Sequence, residues 1–356
     1  MNRRKFISFT GIAGTMCICP EMLFAGNGNE KFPKEYLMTV DGVLDIHKMG
    51  ITLSHEHIIT DFAGAEKNSV QIYKNSEAAG ILMPFLKSLK ESGARTLIEC
   101  TPAYIGRNVS LLKQLSKATG LYIITNTGYY AAVGQKYLPK HAFTESAEQI
   151  SARWLREWKE GIEGTGIRPG FIKLGVDTGP LKEIEKKLIS AAAITHLQSG
   201  LKIFIHTGDA AAAKEEAELL NSEGVGYEAF IWVHAQNDAS GDTHIELAKK
   251  GCWIGLDGVN AQENALIKYT EFITRLKNEG LMHKLLLSHD DGFAVEKVDN
   301  NIAFSPYKNG NTRPYNSIFT KLKPVLLRSG ITAQESNLLV IENPRKALQI
   351  KICKAY

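Results

Sequence analysis

The sequence predicts an α/β fold, a (β/α)8 barrel, and three observations point there. Eight short apolar runs recur along the chain, most of them ending in a polar residue. Amphipathic segments separate them, and no Pro/Gly/Ser linker, low-complexity tract or charge block divides the 356 residues. The runs are Ile51–His55, Ala94–Glu99, Leu121–Thr125, Gly170–Lys173, Lys202–His206, Phe230–His234, Cys252–Asp257 and Lys284–Ser288. Each is rich in β-branched or aromatic residues without a polar face, as strands covered on both sides of a parallel sheet require. Between them Ile81–Ser92, Val109–Thr119, Glu145–Glu160, Leu181–Ser199, Ala211–Ser222, Asp242–Lys250 and Leu266–Glu279 read as helices. A doubly wound open sheet is the alternative. Against it, no G-x-G-x-x-G follows the first run, and polar residues do not cluster at one switch point. Met38–Ile51, with Asp41-Gly42 at its turn, predicts a small hairpin capping the barrel floor.

The two ends of the chain need separate treatment. Arg3, Arg4 and Lys5 precede a mildly apolar stretch from Phe6 to Cys19 and a small-residue end at Ala25, so residues 1–25 read as an export signal. The Arg3-Arg4 pair is of the twin-arginine kind, which implies a periplasmic destination for an already folded protein. Residues 26–35 read as a flexible lead-in and 36–356 as a single barrel domain. The whole chain carries 42 Lys+Arg against 38 Asp+Glu. Removing three basic residues and one acidic residue with the signal leaves 39 against 37, a nearly neutral surface with no basic stripe for nucleic acid. Of five cysteines, Cys17 and Cys19 fall in the signal, while Cys100, Cys252 and Cys353 are too widely spaced for a disulfide framework or a cysteine zinc site.

Chemistry concentrates where the runs end. His55-Glu56-His57 places two imidazoles at i and i+2, on one face of a strand. His206 ends the fifth run, His234 ends the sixth, and Asp290 follows the eighth in Ser288-His289-Asp290-Asp291. A single strand-end histidine is more often a hydrogen-bonded structural residue than a ligand. Four histidines and an aspartate on the C-terminal ends of barrel strands converge on the face where such folds carry their sites. His47, His141, His196, His244 and His283 lie in turns or helices away from that face; His289 is ambiguous. Lys173, at the end of the fourth run, has donors only and cannot ligate a cation. It either pairs with a carboxylate or reacts, as a neutral amine, with carbon dioxide to become an anionic carbamate.

With those residues in place, residues 38–350 resemble the phosphotriesterase family of the amidohydrolase superfamily. The stretches that carry the likeness are Thr52–His57, Phe171–Lys173, His206-Thr207, Val233-His234, Ile254–Asp257, Ser288–Asp290 and Glu342-Asn343-Pro344. The resemblance implies a metal-dependent hydrolase barrel of the TIM type. His55, His57 and Asp290 would hold the more buried of two divalent ions, and His206 and His234 the more exposed one. N6-carboxylysine at Lys173 would bridge both with a hydroxide. The donor set suits zinc, with manganese, iron or cobalt as alternatives. Asp290 would also accept a proton during attack on an ester, lactone or phosphoester. A homodimer is expected from the family alone.

The likeness is incomplete in the residues around the metals. Organophosphate-hydrolysing members carry a proton relay through a histidine after the seventh-strand aspartate and an aspartate three residues past the sixth-strand histidine. Here those places hold Gly258 and Asn237, neither able to carry a proton. Lactonase-like members present a tyrosine where Tyr130 stands, although their arginine at the Gly258 place is missing. A carboxylic ester or lactone, of a sugar acid among others, is therefore expected over a phosphotriester. Arg107 either binds a substrate anion or pairs within the fold, and Asp257 is expected to orient a ligand or substrate group. The rival readings are a barrel that binds metal without catalysis and a mononuclear deaminase-like enzyme. The segments Asn260–Asn264 and Phe293–Tyr315 carry no readable code for the substrate.

Overall fold

Side chains that alternate inward and outward along short parallel strands organise the whole molecule. The computed structural model describes residues 33–67, 71–311 and 313–350. Residues 1–25, expected to be an export signal, most of the expected lead-in and Cys353 lie outside them. In chain order the elements are an antiparallel hairpin, β1 (Tyr36–Thr39) and β2 (Gly42–Asp45), then β3 (Ile51–Glu56), a two-residue β4 (Ile59–Thr60) and helix α1 (Asn75–Glu91). There follow β5 (Ala94–Glu99), α2 (Val109–Thr119), β6 (Tyr122–Ile124), β7 (Asn126–Thr127), α3 (Ala147–Glu160), β8 (Phe171–Gly175) and α4 (Glu183–Ser199). Then come β9 (Lys202–His206), α5 (Ala210–Ser222), β10 (Phe230–Val233), α6 (Asp242–Lys250), β11 (Trp253–Leu256), α7 (Glu263–Asn278) and β12 (Leu285–Leu287).

β3, β5 and β6 pair in parallel, and β7 through β12 form a second parallel set in sequence order. The third expected run is split at Thr125 into β6 and β7, which join the two sets. At the other seam the Ser54 hydroxyl donates to Leu287 O at 3.0 Å and the Asp290 amide donates to His55 O at 3.2 Å, closing an eight-stranded circuit. Ile98, Ile124, Phe171, Phe204, Ile231 and Leu286 fill its interior, the Phe171 and Phe204 rings 4.7 Å apart. Leu37 and Leu44 of the hairpin and Leu348 near the chain end pack into the same cluster, so the hairpin caps the floor. The alternate residues Leu97, Ile172, Ile203, Ile205 and Trp232 face the helical layer instead, which is why these strands carry no polar face.

The largest departures from the expected elements are a longer first helix and an unexpected hairpin. Helix α1 begins at Asn75 and not at Ile81: Ala78 and Ala79 already belong to its buried stripe with Leu82, Leu86 and Leu89, and Gly80 and Pro84 obscure that periodicity in the sequence. Part of the segment after β12 forms a second hairpin, β13 (Phe293–Val298) and β14 (Asn301–Pro306), whose first strand runs parallel to β4. Its turn is Asp299-Asn300, both at positive φ (53° and 69°), the conformation that short Asx-containing hairpin turns favour. Cys100 and Cys252 are both buried. Among the described residues no helix is long and apolar enough to cross a membrane.

Asn343 gives the Glu342-Asn343-Pro344 stretch a structural meaning. Fully buried, it donates from Nδ2 to Met282 O at 2.9 Å and Leu285 O at 2.7 Å, fastening the last helical segment to the entry of β12. Asn343→Ala removes both of these buried hydrogen bonds. It is expected to cost about 1–3 kcal/mol, read as a lower urea midpoint with an unchanged m value.

Candidate metal centre

The histidines reach the barrel mouth because of an irregularity in β3. Leu53 pairs with Leu97 and Glu56 with Glu99, so three steps on β3 oppose two on β5. Leu53 faces the helices; strict alternation would send His55 and His57 the same way. The extra residue reverses the parity and turns both imidazoles inward, with Glu56 outward, an effect of β-bulges near active sites. On the regular strands no such device is needed. Lys173 lies two residues beyond Phe171 and His206 two beyond Phe204, continuing the interior columns upward.

Three metal-type donors meet closely. His55 Nε2 lies 3.3 Å from His57 Nε2, and Asp290 Oδ1 is 3.4 Å from the first and 3.2 Å from the second. His234 Nε2 is 4.0 Å from Asp290 Oδ2, and its ring lies 5.1 Å from that of His55 and 4.4 Å from that of His206. His234 and Asp290 both hold positive φ (63° and 56°), uncommon for residues other than glycine and typical of constrained functional sites.

Groups behind the ligands set their protons. Asp257 accepts from His55 Nδ1 at 2.9 Å through one oxygen and from His234 Nδ1 at 2.7 Å through the other. Burial pushes this carboxyl up, but the two imidazoles outweigh it and hold Asp257 well below the usual carboxylate range. His57 Nδ1 lies 2.9 Å from Thr101 Oγ1, whose own hydroxyl donates to Glu99, so the imidazole is the donor there. With every Nδ1 proton directed away, the Nε2 lone pairs of His55 and His57 and the Asp290 oxygen face one another with no donor among them. That arrangement is repulsive unless a cation lies between them. Burial lowers His55 to about 4, so its imidazole is neutral and ready to ligate at neutral pH. Asp290, pushed up by burial but lowered more by the histidines, lies at about 2 and is ionised.

Lys173 supplies a second sign of a missing group. Its side chain is buried, and among the described residues Nζ has no hydrogen-bonding partner. Burial lowers its pKa. The carboxylate partner that would have made it a structural ion pair is absent among the described residues.

The remaining site residues of the sequence reading fall in different places. Tyr130 lines the same pocket, its ring 5.0 Å from that of His206 and lying against Gly175, where a Cβ would come within 2.4 Å of it. Asp257 orients two ligands. Arg107 does not face the histidines: it forms a bidentate pair with Glu157 of α3 at 2.9 and 2.6 Å and donates to Asn126 O at 2.9 Å. It lines a separate cleft of about 730 Å³, so the anion-binding alternative for Arg107 gives way to pairing within the fold. His289 donates from Nδ1 to Glu56 at 2.7 Å and accepts the Ile318 amide at Nε2, leaving it no free ligand atom. Sequence reasoning missed Glu99 and Thr101 behind His57, and also Phe62 and Tyr307 at the pocket wall. Thr101 stands two residues beyond Glu99 at the end of the second run, which was the available signal.

A barrel closed in this way, with imidazoles and an aspartate converging at the C-terminal ends of its strands, defines a metal-dependent hydrolase, and the cluster is consistent with a binuclear centre. A profile described as the phosphotriesterase family matches residues 35–348, and the chain belongs to that family. The aryldialkylphosphatase of Saccharolobus solfataricus is 26% identical over 300 residues, covering 84% of this chain and 94% of the relative. Human N-acetyltaurine hydrolase is 24% identical over 358 residues, covering 88% and 98%. A crystal structure of a mutant PTE-like lactonase from Deinococcus radiodurans superposes with a TM-score of 0.77 at 27% identity, covering 88% of this chain and 99% of that one.

Proposed function

We propose that the chain hydrolyses a small, uncharged carboxylic ester or lactone. In this reading His55, His57 and Asp290 would hold one divalent ion and His206 and His234 a second, with Lys173, as N6-carboxylysine, contributing to both. Zinc suits the donor set, and manganese, iron or cobalt fit the same donors. When bound, the metals supply an activated water and polarise the scissile carbonyl. A buried, unpartnered Lys173 side chain favours the neutral amine, the form that would attack carbon dioxide: an N–C bond forms as one C=O π bond opens, the nitrogen releases a proton, and a carbamate anion results. Asp290, ionised, takes a proton at Oδ2 as attack proceeds. Tyr130 orients the acyl group beside His206.

The observation that carries the substrate class is the pocket wall. The pocket has a volume of about 140 Å³, and among the described residues its only charged groups besides the histidines are Lys173 and Asp290. Phe62, Ile105, Val133, Tyr137 and Tyr307 form most of the remaining wall with Tyr130, beside Thr60, Cys100 and Pro102, and Phe62 and Val133 remain 44% and 58% exposed at the rim. Apolar ester and lactone substituents fit such a wall, which among the described residues offers no arginine and no further lysine to the sulfonate of an N-acyltaurine. A panel of lactones, aryl esters, phosphotriesters and N-acyl amides, tested on zinc- or manganese-loaded full-length chain, decides the matter. Turnover of apolar lactones or esters above all others is expected. Preferred turnover of phosphotriesters, or a metal-loaded chain that hydrolyses nothing, would overturn it.

The space of the missing relay favours the same reading. A Cβ at Gly258 would meet Tyr269 Oη at 2.7 Å and Gln236 Nε2 at 3.0 Å. Gln236 in turn donates to Asp257 Oδ1 and accepts the Asp257 amide. Gly258→His is therefore expected to displace Tyr269 and disturb Asp257, lowering stability by about 1–3 kcal/mol without a gain in phosphotriester turnover. Thermal unfolding together with a paraoxon-type assay checks both parts. Export through the Arg3-Arg4 signal completes the proposal; a periplasmic pool that disappears on exchange of both arginines for lysine would support it.

A further inference from the structure

We propose that Glu56, the middle residue of His55-Glu56-His57, is the positioning residue for the ligand Asp290; the inference rests on the reading of this cluster as a metal centre. Parity sends Glu56 to the opposite side of β3 from the two histidines, where it is completely buried. There its two oxygens straddle Asp290. Oε1 accepts the His289 amide at 3.0 Å and Oε2 the Asp291 amide at 2.8 Å, the backbone donors on either side of the ligand. Oε1 also accepts His289 Nδ1 at 2.7 Å and the Ser288 hydroxyl at 2.7 Å, and Ser288 Oγ accepts the His55 amide.

The consequence is a mechanical link between two strands that supply ligands to one ion. Asp290 holds φ 56°, a left-handed conformation that aspartate adopts more readily than most residues and that the flanking hydrogen bonds fix here. Its own amide donates to His55 O, and the His57 amide donates to Asp291 O at 2.7 Å. With both neighbours clamped by one carboxylate, Oδ1 is delivered between the two Nε2 atoms. Glu56, His289 and Asp291 also lie close enough to be taken for a further cation site. Donors face both Glu56 oxygens, and His289 Nε2 accepts the Ile318 amide, so a cation there would face N–H groups. The cluster is a clamp and not a second centre.

The required chemistry is narrow. Glutamine keeps the length but turns an NH2 toward one of four donors, and aspartate keeps the charge but cannot reach both amides. The test uses full-length wild type, Glu56→Gln, Glu56→Asp, and Asn343→Ala as a variant that weakens the fold far from the site. Zinc release to a competing chelator and the visible spectrum of the cobalt(II)-loaded proteins are the direct readouts. Both Glu56 variants are expected to release one ion about 10–100-fold more readily and to change the cobalt bands. Their kcat for an aryl ester should fall at least about tenfold with KM within about twofold. Asn343→Ala should lower the melting temperature and leave metal release unchanged. Wild-type zinc retention and cobalt spectra in either folded Glu56 variant would overturn the assignment, as would failure of both variants to fold, which would mark Glu56 as scaffold. A wild-type chain that takes up no metal would instead overturn the metal-centre reading beneath it.

Discussion

Replacing Lys173 by alanine is expected to abolish hydrolysis and to release metal from the chain. Lys173 stands in an interior column directly above Phe171, packed from below and enclosed from above by the histidines. Its amine has no partner among the described residues, which an ammonium ion in a buried site could not tolerate. As a carbamate it would be the one side-chain anion placed to serve both ions; as alanine it would leave the two cations without that shared negative charge. The loss should exceed the roughly 10–100-fold typical of changes behind a ligand. Steady-state rates with an aryl ester, together with metal content after gel filtration, provide the measure. A Lys173→Ala protein that keeps both ions and most of its activity would remove carboxylysine from the account.

Asp257→Ala should have the next largest effect, and by a different route. No metal contact is lost, but the Nδ1 donors of His55 and His234 lose their common acceptor. Two buried imidazole donors left without a partner cost about 1–3 kcal/mol each, and free rotation of the rings spoils the aim of both Nε2 atoms. Because His55 and His234 are assigned to different ions, affinity should fall at both positions by about 10–100-fold. Asp257→Asn separates the contributions. Its carboxamide oxygen still serves one imidazole, so it should lie between wild type and alanine in zinc competition. Equal loss in the two variants would mean that charge, and not orientation, is the contribution of Asp257.

Much of the site was legible because it follows strand periodicity. His206 and Lys173 continue the inward columns begun by Phe204 and Phe171; position after an apolar run was enough to nominate His206, whereas for Lys173 it left a structural ion pair open and only the family resemblance made it a ligand. His55 and His57 were found by their own spacing, but the reason they face inward is the bulge between Leu53 and Glu56, which no residue in the sequence announces. Asp290 and His234 depend on left-handed backbone conformations that local propensity disfavours and the fold imposes. The two roles open for Arg107 could not be separated in sequence because Glu157 is fifty residues away. The hairpin after β12 was readable in principle from Asp299-Asn300 between two extended stretches; its contribution of Tyr307 to the pocket was not. The signal region lies outside the described residues, so its reading still rests on Arg3, Arg4 and the apolar stretch after them.

Metal content measures the proposed binuclear centre most directly. Elemental analysis of purified, desalted full-length chain should give about two divalent ions per chain, falling together in Lys173→Ala and returning with activity when zinc or manganese is restored to the stripped wild type. A folded wild-type chain that binds no more than one ion under the same conditions would contradict it.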